Sequence, residues 1–247
     1  MLKTATISDK KIQQSFMTNP NAEPQKAPLS KEKIREIIAK RAAKEFNEGD
    51  VVTLGIGLPT AVADYVPAEK NVIFQSENGL LGNWTNSTNS DADKKIINAG
   101  GVCVDIQTGA SFYDTAMALT MMRGGHIDVT VLGALQVDEE GSIASWLIPN
   151  KFVPGMGGAM DLVIGSKRVI VAMEHTSKNE IKIVKKCSLP LTAYKEVDVI
   201  ITERCVFKVT PEGLVLTDIN PMFTIDDIRN SVSASFKVSN NLQFMEI

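Results

Sequence analysis

The sequence contains few of the residues that bind metals or form disulfides. It has three cysteines and two histidines among 247 residues. Cys103, Cys187 and Cys205 are far apart and include no Cys-x-x-Cys pair, which argues against a disulfide framework and against a cysteine-ligated zinc site. His126 and His175 are too few for a histidine-rich metal site. We therefore expect reduced, mostly buried thiols and no bound metal.

Long apolar runs and targeting segments are also missing. No uninterrupted apolar stretch reaches the about 20 residues that a helix needs to cross a bilayer. The N-terminus has no apolar signal segment, and it contains acids and little arginine, unlike a transit peptide. A formal net charge of −3 argues against nucleic acid as the main partner. The sequence therefore predicts a cytoplasmic protein without membrane contact.

Several catalytic signatures are missing as well. There is no Gly-x-Ser-x-Gly elbow and no His-Glu-x-x-His helix. Gly55-x-Gly57 precedes a predicted helix, but it lacks the third glycine of a dinucleotide fingerprint and the lysine of a P-loop. The pattern favours a tight strand-to-helix turn. Such a loop can still line a ligand cleft at the edge of an open sheet.

What remains is the pattern of one α/β domain. Hydrophobic residues make up 44% of the chain and charged residues 22%, as in ordinary globular proteins. Residues 1–29 are polar and aperiodic and contain prolines, so we interpret them as a loose N-terminal extension, with a docking arm as the alternative. No repeat or low-complexity linker interrupts residues 30–247, which we assign to a single domain.

Apolar periodicity predicts the elements of this domain. Ser30 caps a helix whose apolar residues recur at spacings of three and four up to Phe46. Strands are predicted at 51–54, 72–74, 102–104, 129–132, 162–164, 169–172 and 197–201, and further helices at 61–65, 112–122 and 224–230. The gap 165–168 is too short for a crossover helix and predicts a hairpin. We expect an open, mostly parallel but mixed sheet flanked by helices.

The most distinctive stretch is Ser76-Glu77-Asn78-Gly79, which follows the apolar run 72–74. A carboxylate at the end of a buried strand, flanked by a hydroxyl and an amide, can act as an aimed nucleophile. The same residues also form ordinary turns, in which the serine and asparagine bond to the backbone and the glutamate points into water. Local pattern alone favours the turn.

A second candidate is the glycine-rich stretch Gly155-Met156-Gly157-Gly158. Three glycines in four positions allow a close backbone approach at an entropic cost. A loop of this kind can direct peptide N–H groups toward a developing oxyanion. It can equally be a flexible connection, and the pattern leaves both interpretations open.

The two histidines lie at the ends of other predicted elements. His126 follows Gly124 and Gly125, either of which can end the preceding helix, and we expect a structural role for the imidazole. His175 follows Glu174 at a strand end. The sequence does not establish Glu174 and His175 as a catalytic pair.

Six co-linear stretches resemble family I CoA-transferases, and most closely the B (beta) subunits of the acetate (butyrate)–acetoacetate type. They are GIGLPT at 55–60, QSENG at 75–79, RGGHID at 123–128, LGALQV at 132–137, GMGGAMD at 155–161 and TDIN at 217–220. The resemblance covers residues 30 to about 240 and does not include the N-terminal extension.

The resemblance implies a covalent mechanism at Glu77. The carboxylate attacks an acyl-CoA thioester, and the released thiolate converts the resulting anhydride into a glutamyl-CoA thioester. An incoming carboxylate then reverses these steps. The resemblance assigns the oxyanion-binding N–H to Gly158. The residues expected to contribute to substrate binding are Ser76, Asn78, Gly57 and Gly157.

The resemblance also implies ligands and a partner. Coenzyme A is expected as a substrate and covalent intermediate, with no permanently bound cofactor. A separate A (alpha) subunit is expected to complete the active site, as a heterotetramer. The implied acids are acetate, butyrate and acetoacetate, with 3-oxoadipate or another 3-oxoacid as the alternative. A sugar-phosphate isomerase and a non-catalytic binding module are the other hypotheses, and the presence of Glu77 and the glycine-rich stretch argues against the module.

Overall fold

The computed structural model describes residues 29–82, 87, 93–106, 108–151, 155–178 and 180–246. The predicted N-terminal extension lies outside these residues except for Leu29, which packs against the core. Within the described ranges, no helix is long and apolar enough to cross a membrane.

The chain alternates short helices with short strands. The α-helices are α1 (Lys31–Ala43), α2 (Thr115–Arg123), α3 (Ala159–Gly165) and α4 (Ile225–Arg229), and 3₁₀ helices cover Pro59–Tyr65 and Ala68–Lys70. The strands are β1 (Val51–Leu54), β2 (Ile73–Ser76), β3 (Leu80–Leu81), β4 (Ser111–Phe112), β5 (Val129–Leu132), β6 (Gln136–Asp138), β7 (Ile143–Ala144), β8 (Val169–Ala172), β9 (Thr176–Ser177), β10 (Glu180–Ile181), β11 (Ile183–Val184), β12 (Val199–Ile201), β13 (Cys205–Thr210), β14 (Gly213–Ile219) and β15 (Phe236–Phe244).

A ten-stranded mixed sheet organises these elements in the order β15-β14-β13-β12-β8-β5-β1-β2-β3-β4. The central strands β12, β8, β5, β1 and β2 are parallel to one another. Antiparallel pairs flank them on both sides, through β12–β13 and β2–β3. The prediction of an open, mostly parallel mixed sheet is confirmed. Its central strands end at a common edge, which is where open α/β sheets bind ligands.

Helices cover both faces of the sheet, so the central strands are buried on both sides. Val131 packs in one core with Ile37 of α1, and the next residue, Leu132, packs in the other core with Met122 of α2 and Leu162 of α3. Successive side chains of a strand point to opposite faces, which explains this alternation. Strands that are buried in this way are apolar throughout or nearly so, as β5 and β8 are.

The helix that precedes β1 forms where its pattern predicts it. The Ser30 hydroxyl accepts a hydrogen bond from the Lys33 N–H at 3.2 Å and caps α1. Ile37, Ile38 and Ala42 are fully buried on one stripe. The last helix is also predicted correctly, because Thr224 forms a reciprocal capping box at the start of α4.

The predicted strand at 162–164 is wrong, because these residues belong to α3. Leu162 and Val163 are buried whereas Ile164 is 66% exposed, as expected for one side of a helix. A short apolar run does not distinguish a strand from a buried helical turn. Residues 166–168 therefore connect a helix to β8, and the hairpin predicted at 165–168 is wrong as well.

Other boundaries differ for local reasons. The segment predicted as helix 112–122 begins with strand β4, and α2 starts at Thr115 because Asp114 caps it by accepting a hydrogen bond from the Met117 N–H at 2.8 Å. The predicted strand at 102–104 is not among the strands given above, and Cys103 makes an isolated antiparallel bridge with Ile97. The segment predicted as a helix at 61–65 is part of the 3₁₀ helix Pro59–Tyr65. The apolar patterns do not predict strands β13, β14 and β15, which together form one side of the sheet.

Candidate active site

A cleft of about 460 Å³ lies at the edge where the parallel strands end. The loop after β1 contributes Gly55 and Ile56, the turn after β2 contributes Glu77, and the loop after β5 contributes Gly133. The start of α3 closes another side with the glycine-rich stretch 155–158. Segments that are distant in sequence therefore converge on one cavity because parallel strands place their carboxyl ends together.

Glu77 and Gly158 are in direct contact inside this cleft. The backbone N–H of Gly158 donates a hydrogen bond to Glu77 Oε2 at 3.2 Å. A Cβ atom on residue 158 would lie 2.3 Å from the same oxygen, so a side chain there would displace the carboxylate. Gly157 is adjacent, and a Cβ atom built on it would lie 3.8 Å from Glu77 Oε1. The glycine-rich stretch thus makes a close approach to the glutamate.

The turn that carries Glu77 depends on its glycine. Gly79 has a φ of +103°, a region that L-residues rarely adopt. A Cβ atom there would lie 1.9 Å from the Tyr113 carbonyl oxygen. The Tyr113 N–H in turn donates to the Gly79 carbonyl at 3.0 Å. This contact fixes the turn against the chain that leads into α2.

Ser76 and Asn78 flank the glutamate and bond to a second segment. The buried Ser76 hydroxyl accepts a hydrogen bond from the Ala99 N–H at 3.1 Å and donates to Asn78 Oδ1. Asn78 Nδ2 donates to the Ile97 carbonyl at 2.8 Å. The predicted substrate-binding role of these two side chains is not tested by these contacts.

Gly57 lies in the loop after β1, beyond the two residues that line the cleft. Its φ of +95° requires a glycine-like conformation. Its carbonyl accepts hydrogen bonds from Arg35 Nη2 at 3.2 Å and from the Thr60 hydroxyl at 2.7 Å. These bonds hold the loop to α1 and to the start of the following 3₁₀ helix, and a role for Gly57 in substrate binding stays a prediction.

The opposite wall of the cleft is largely apolar and was not identified from sequence. It includes Leu132, Ala134, Leu135, Ser145, Trp146 and Met156. Trp146 Nε1 donates to the Leu191 carbonyl at 3.3 Å, and the Ser145 and Thr192 hydroxyls are 2.7 Å apart. None of the described residues that line this cleft is lysine, arginine or histidine. Parts of this wall lie in two stretches that carried the resemblance, LGALQV at 132–137 and GMGGAMD at 155–161, whereas Ser145 and Trp146 had no sequence signal.

His175 is buried beneath the sheet edge as a structural residue. Its Nδ1 lies 2.9 Å from the Thr202 hydroxyl and its Nε2 3.0 Å from the Ser231 hydroxyl. Burial, aided by the charges of Arg204 and Lys182, lowers the pKa of His175 from 6.5 to about 3. The neutral imidazole joins two strand ends to the segment that follows α4. His126 is exposed and follows Gly124, which ends α2 as predicted.

The three cysteines are free thiols. Cys205 is buried, whereas Cys103 and Cys187 are half-buried, so the thiols are less buried than predicted. Burial, and after it the nearby Asp138, raises the pKa of the Cys187 thiol to about 12. In the part of the chain that the structure describes, no group of three histidine, cysteine, aspartate or glutamate side chains could hold a metal ion.

A glutamate at a strand end, which accepts a hydrogen bond from a glycine N–H in a largely apolar cleft, has the geometry that nucleophilic catalysis by a carboxylate requires. The family model described as Coenzyme A transferase matches residues 35–231. The chain therefore belongs to the coenzyme A transferase family, an enzyme family that transfers CoA.

Two bacterial relatives carry the names of subunits of such enzymes. The beta subunit of the acetate CoA-transferase of Haemophilus influenzae is 46% identical over 214 residues, which are 86% of this chain and 96% of the relative. The B subunit of the succinyl-CoA:3-ketoacid coenzyme A transferase of Helicobacter pylori (strain 26695) is 46% identical over 206 residues, 83% of this chain and 99% of the relative.

Solved structures share the fold at lower identity. The acyl-CoA transferase YdiF of Escherichia coli O157:H7 has a TM-score of 0.72 at 22% identity, and the match covers 90% of this chain and 44% of that chain. The glutaconate coenzyme A-transferase of Acidaminococcus fermentans has a TM-score of 0.60 at 18% identity, covering 86% of this chain and 88% of the other.

Proposed function

We propose that this chain is the catalytic B subunit of a CoA-transferase that exchanges CoA between a short-chain acyl-CoA and a free carboxylic acid through Glu77. The observation that carries the proposal is the 3.2 Å hydrogen bond from the Gly158 N–H to Glu77 Oε2 within an apolar cleft. It joins a potential nucleophile and a backbone donor at the edge of the sheet where ligands bind.

The proposed reaction has two balanced half-steps. A Glu77 oxygen attacks the thioester carbonyl, the carbon–sulfur bond breaks, and an acyl-glutamyl anhydride and a CoA thiolate result. The thiolate then attacks the Glu77 carboxyl carbon, and the acid leaves as a carboxylate that retains the oxygen from Glu77. A second acid reverses both steps, so one thioester replaces another and no ATP is consumed.

Each step passes through a tetrahedral oxyanion. We assign its backbone donor to Gly158, with Gly157 as the neighbouring candidate. One such donor is typically worth about 3–4 kcal/mol of barrier. Its proximity to the glutamate oxygen supports this assignment, because the two carboxylate oxygens become the carbonyl and bridging oxygens of the anhydride. When the thiolate attacks the Glu77 carboxyl carbon, the negative charge develops on that carbonyl oxygen.

The substrates and partner are proposed from the relatives. Their names include acetate CoA-transferase and succinyl-CoA:3-ketoacid CoA transferase, as beta or B subunits. We propose acetate, butyrate and acetoacetate as acids, with another 3-oxoacid such as 3-oxoadipate as the alternative. Coenzyme A is both substrate and covalent intermediate. An A subunit completes the enzyme, as a heterotetramer.

The test is a covalent adduct on Glu77. The chain is co-expressed with its A subunit, and the complex is incubated with acetoacetyl-CoA in the absence of an acceptor acid. The expected result is a mass increase of CoA less water on this chain, mapped to Glu77, with ping-pong kinetics in turnover. Glu77→Gln should abolish the adduct, and Glu212→Gln, an exposed control, should retain it. An adduct on another residue would contradict the proposal.

A further inference from the structure

Residues 96–104 form a tight hairpin beside the Glu77 turn. The Val104 N–H donates to the Ile96 carbonyl at 3.1 Å, and the Asn98 N–H donates to the Val102 carbonyl at 2.9 Å. The buried Asn98 side chain closes the tip, since its Oδ1 accepts from the N–H groups of Gly100 at 2.9 Å and Val102 at 3.1 Å. The hairpin is therefore shaped by its own hydrogen bonds.

The 96–104 hairpin is anchored in the core. Val104 is buried in the core that α1 covers, and Ile96 packs against the same core. At the tip, Gly100 lies near the start of the 3₁₀ helix Pro59–Tyr65, because it lines one small cavity together with Thr60 and Ala63. The hairpin thus lies against the core and near this 3₁₀ helix, and it is a fixed support rather than a free loop.

Both side chains that flank Glu77 bond to this support. The Ser76 hydroxyl, on a residue that is 4% exposed, accepts from the Ala99 N–H and donates to Asn78 Oδ1. The Asn78 amide accepts that hydrogen bond and donates from Nδ2 to the Ile97 carbonyl. These contacts form a closed network around the backbone of the glutamate.

We infer that Ser76 and Asn78 are positioning residues that clamp Glu77 to the 96–104 hairpin and act on the reaction only through Glu77. The inference rests on the proposed function, in which Glu77 is the nucleophile. Both side chains are hydrogen-bonded within the protein, and neither is among the described residues that line the cleft. Ala99 does line it, so the hairpin that holds the turn also forms part of the cleft wall.

The clamp has a clear kinetic signature. A displacement of about 1 Å at a reacting group can cost about 100-fold in rate, whereas the groups that bind CoA and the acid remain in place. Loss of the clamp should therefore lower kcat and leave KM unchanged. A side chain that touched substrate would instead raise KM.

The test uses the complex with the A subunit. Ser76→Ala and Asn78→Ala should each slow glutamyl-CoA formation at saturating acetoacetyl-CoA by about 10- to 100-fold, with KM values for both substrates within about threefold of wild type. Ser76→Thr, which retains the hydroxyl, should recover most of the rate. Asn98→Ala, which alters the hairpin tip without touching Glu77, should reproduce the kcat loss. Ser177→Ala, at an exposed position of β9, is the control and should behave as wild type.

The outcomes separate the two roles. A tenfold or greater rise in KM with normal kcat in Ser76→Ala or Asn78→Ala would show substrate contact and overturn the inference. Wild-type kinetics in both variants, or in Asn98→Ala alone, would also overturn it, since the support would then be dispensable. If the wild-type complex forms no adduct on Glu77, the proposed function fails, and the inference fails with it.

Discussion

Gly158 and Glu77 are 81 positions apart in the sequence, yet the N–H of one lies 3.2 Å from Oε2 of the other. This geometry uses the absence of a side chain at residue 158, since a Cβ atom there would lie 2.3 Å from that oxygen and the carboxylate would have to move. The absence of a Cβ atom on Gly158 thus leaves room for its backbone N–H to approach the carboxylate.

Gly158→Ala should lower kcat by about 100-fold or more, because the added methyl displaces either the carboxylate or the amide that the proposed oxyanion needs. The measurement is steady-state exchange between acetoacetyl-CoA and butyrate. Gly133→Ala is the matched comparison, since it adds a methyl in the same cleft with no atom within 4 Å. It should cost much less activity, and equal losses would contradict the oxyanion assignment.

The chain on its own should be nearly inactive. The cleft is partly open to solvent, so there is room for a second chain to complete it, and two relatives carry the names of beta or B subunits. Exchange activity should appear on titration with the A subunit and reach a plateau at a fixed ratio of the two chains. Full turnover by the purified chain without a partner would refute this expectation.

A positive charge on the apolar wall of the cleft should shift the enzyme's preference toward acids that carry a second carboxylate. No described lining residue is lysine, arginine or histidine, so a second carboxylate meets no opposite charge from these residues. Leu135→Lys should raise the kcat/KM ratio of succinate over butyrate by about tenfold, because a hydrogen bond to a charged group contributes about 1.5–3 kcal/mol. Leu135→Met is the control for size. A ratio that does not change in the lysine variant would place the acyl tail elsewhere.

Glu45 should stabilise the fold through two arginines. Its carboxylate pairs with Arg41 at 2.6 Å and with Arg168, and its side chain is 11% exposed. Burial opposes ionisation, but Arg41 and Arg168 outweigh it and hold the pKa of Glu45 below its ordinary 4.5. Glu45→Gln should lower the free energy of unfolding by about 3–5 kcal/mol at pH 7.

The effect of Glu45 should depend on pH in a defined direction. A lowered carboxyl pKa contributes stability above about pH 4.5, and this stability is lost as pH falls through the folded pKa. The difference from wild type in urea unfolding should therefore narrow below pH 4.5. Glu212→Gln, on the exposed turn between β13 and β14, should stay within about 0.5 kcal/mol of wild type at every pH.

His175 should make stability fall as the solution is acidified. Its pKa of about 3 in the fold lies below the 6.5 of the ordinary group, so the unfolded chain binds the proton first. The stabilisation is complete above pH 6.5 and is lost progressively between pH 6.5 and 3. Wild type should therefore lose about 2 kcal/mol more than His175→Gln between pH 7 and pH 5, measured by urea unfolding. Equal losses would show that the imidazole is not held neutral.

Local sequence determined the elements whose signals lie within a few residues. Ser30 caps α1, Thr224 and Asp227 form the capping box of α4, and the apolar run of β5 appears where it was predicted. These signals act through nearest neighbours, and they do not depend on what the element packs against. The stretch around Glu77 was different, because its residue types alone favoured an ordinary turn and the resemblance to CoA-transferases gave Glu77 its predicted role.

Tertiary structure decided what local signals could not. Residues 162–164 are apolar enough for a strand, but they form a helical turn because Leu162 and Val163 pack beneath the sheet while Ile164 remains exposed. Gly158 contacts Glu77, and Ser76 and Asn78 bond to the 96–104 hairpin. These contacts join segments that are distant in the sequence, and no pattern within either segment predicts them. A residue type shows which hydrogen bonds a side chain can make, whereas the packed sheet determines which partner lies within reach.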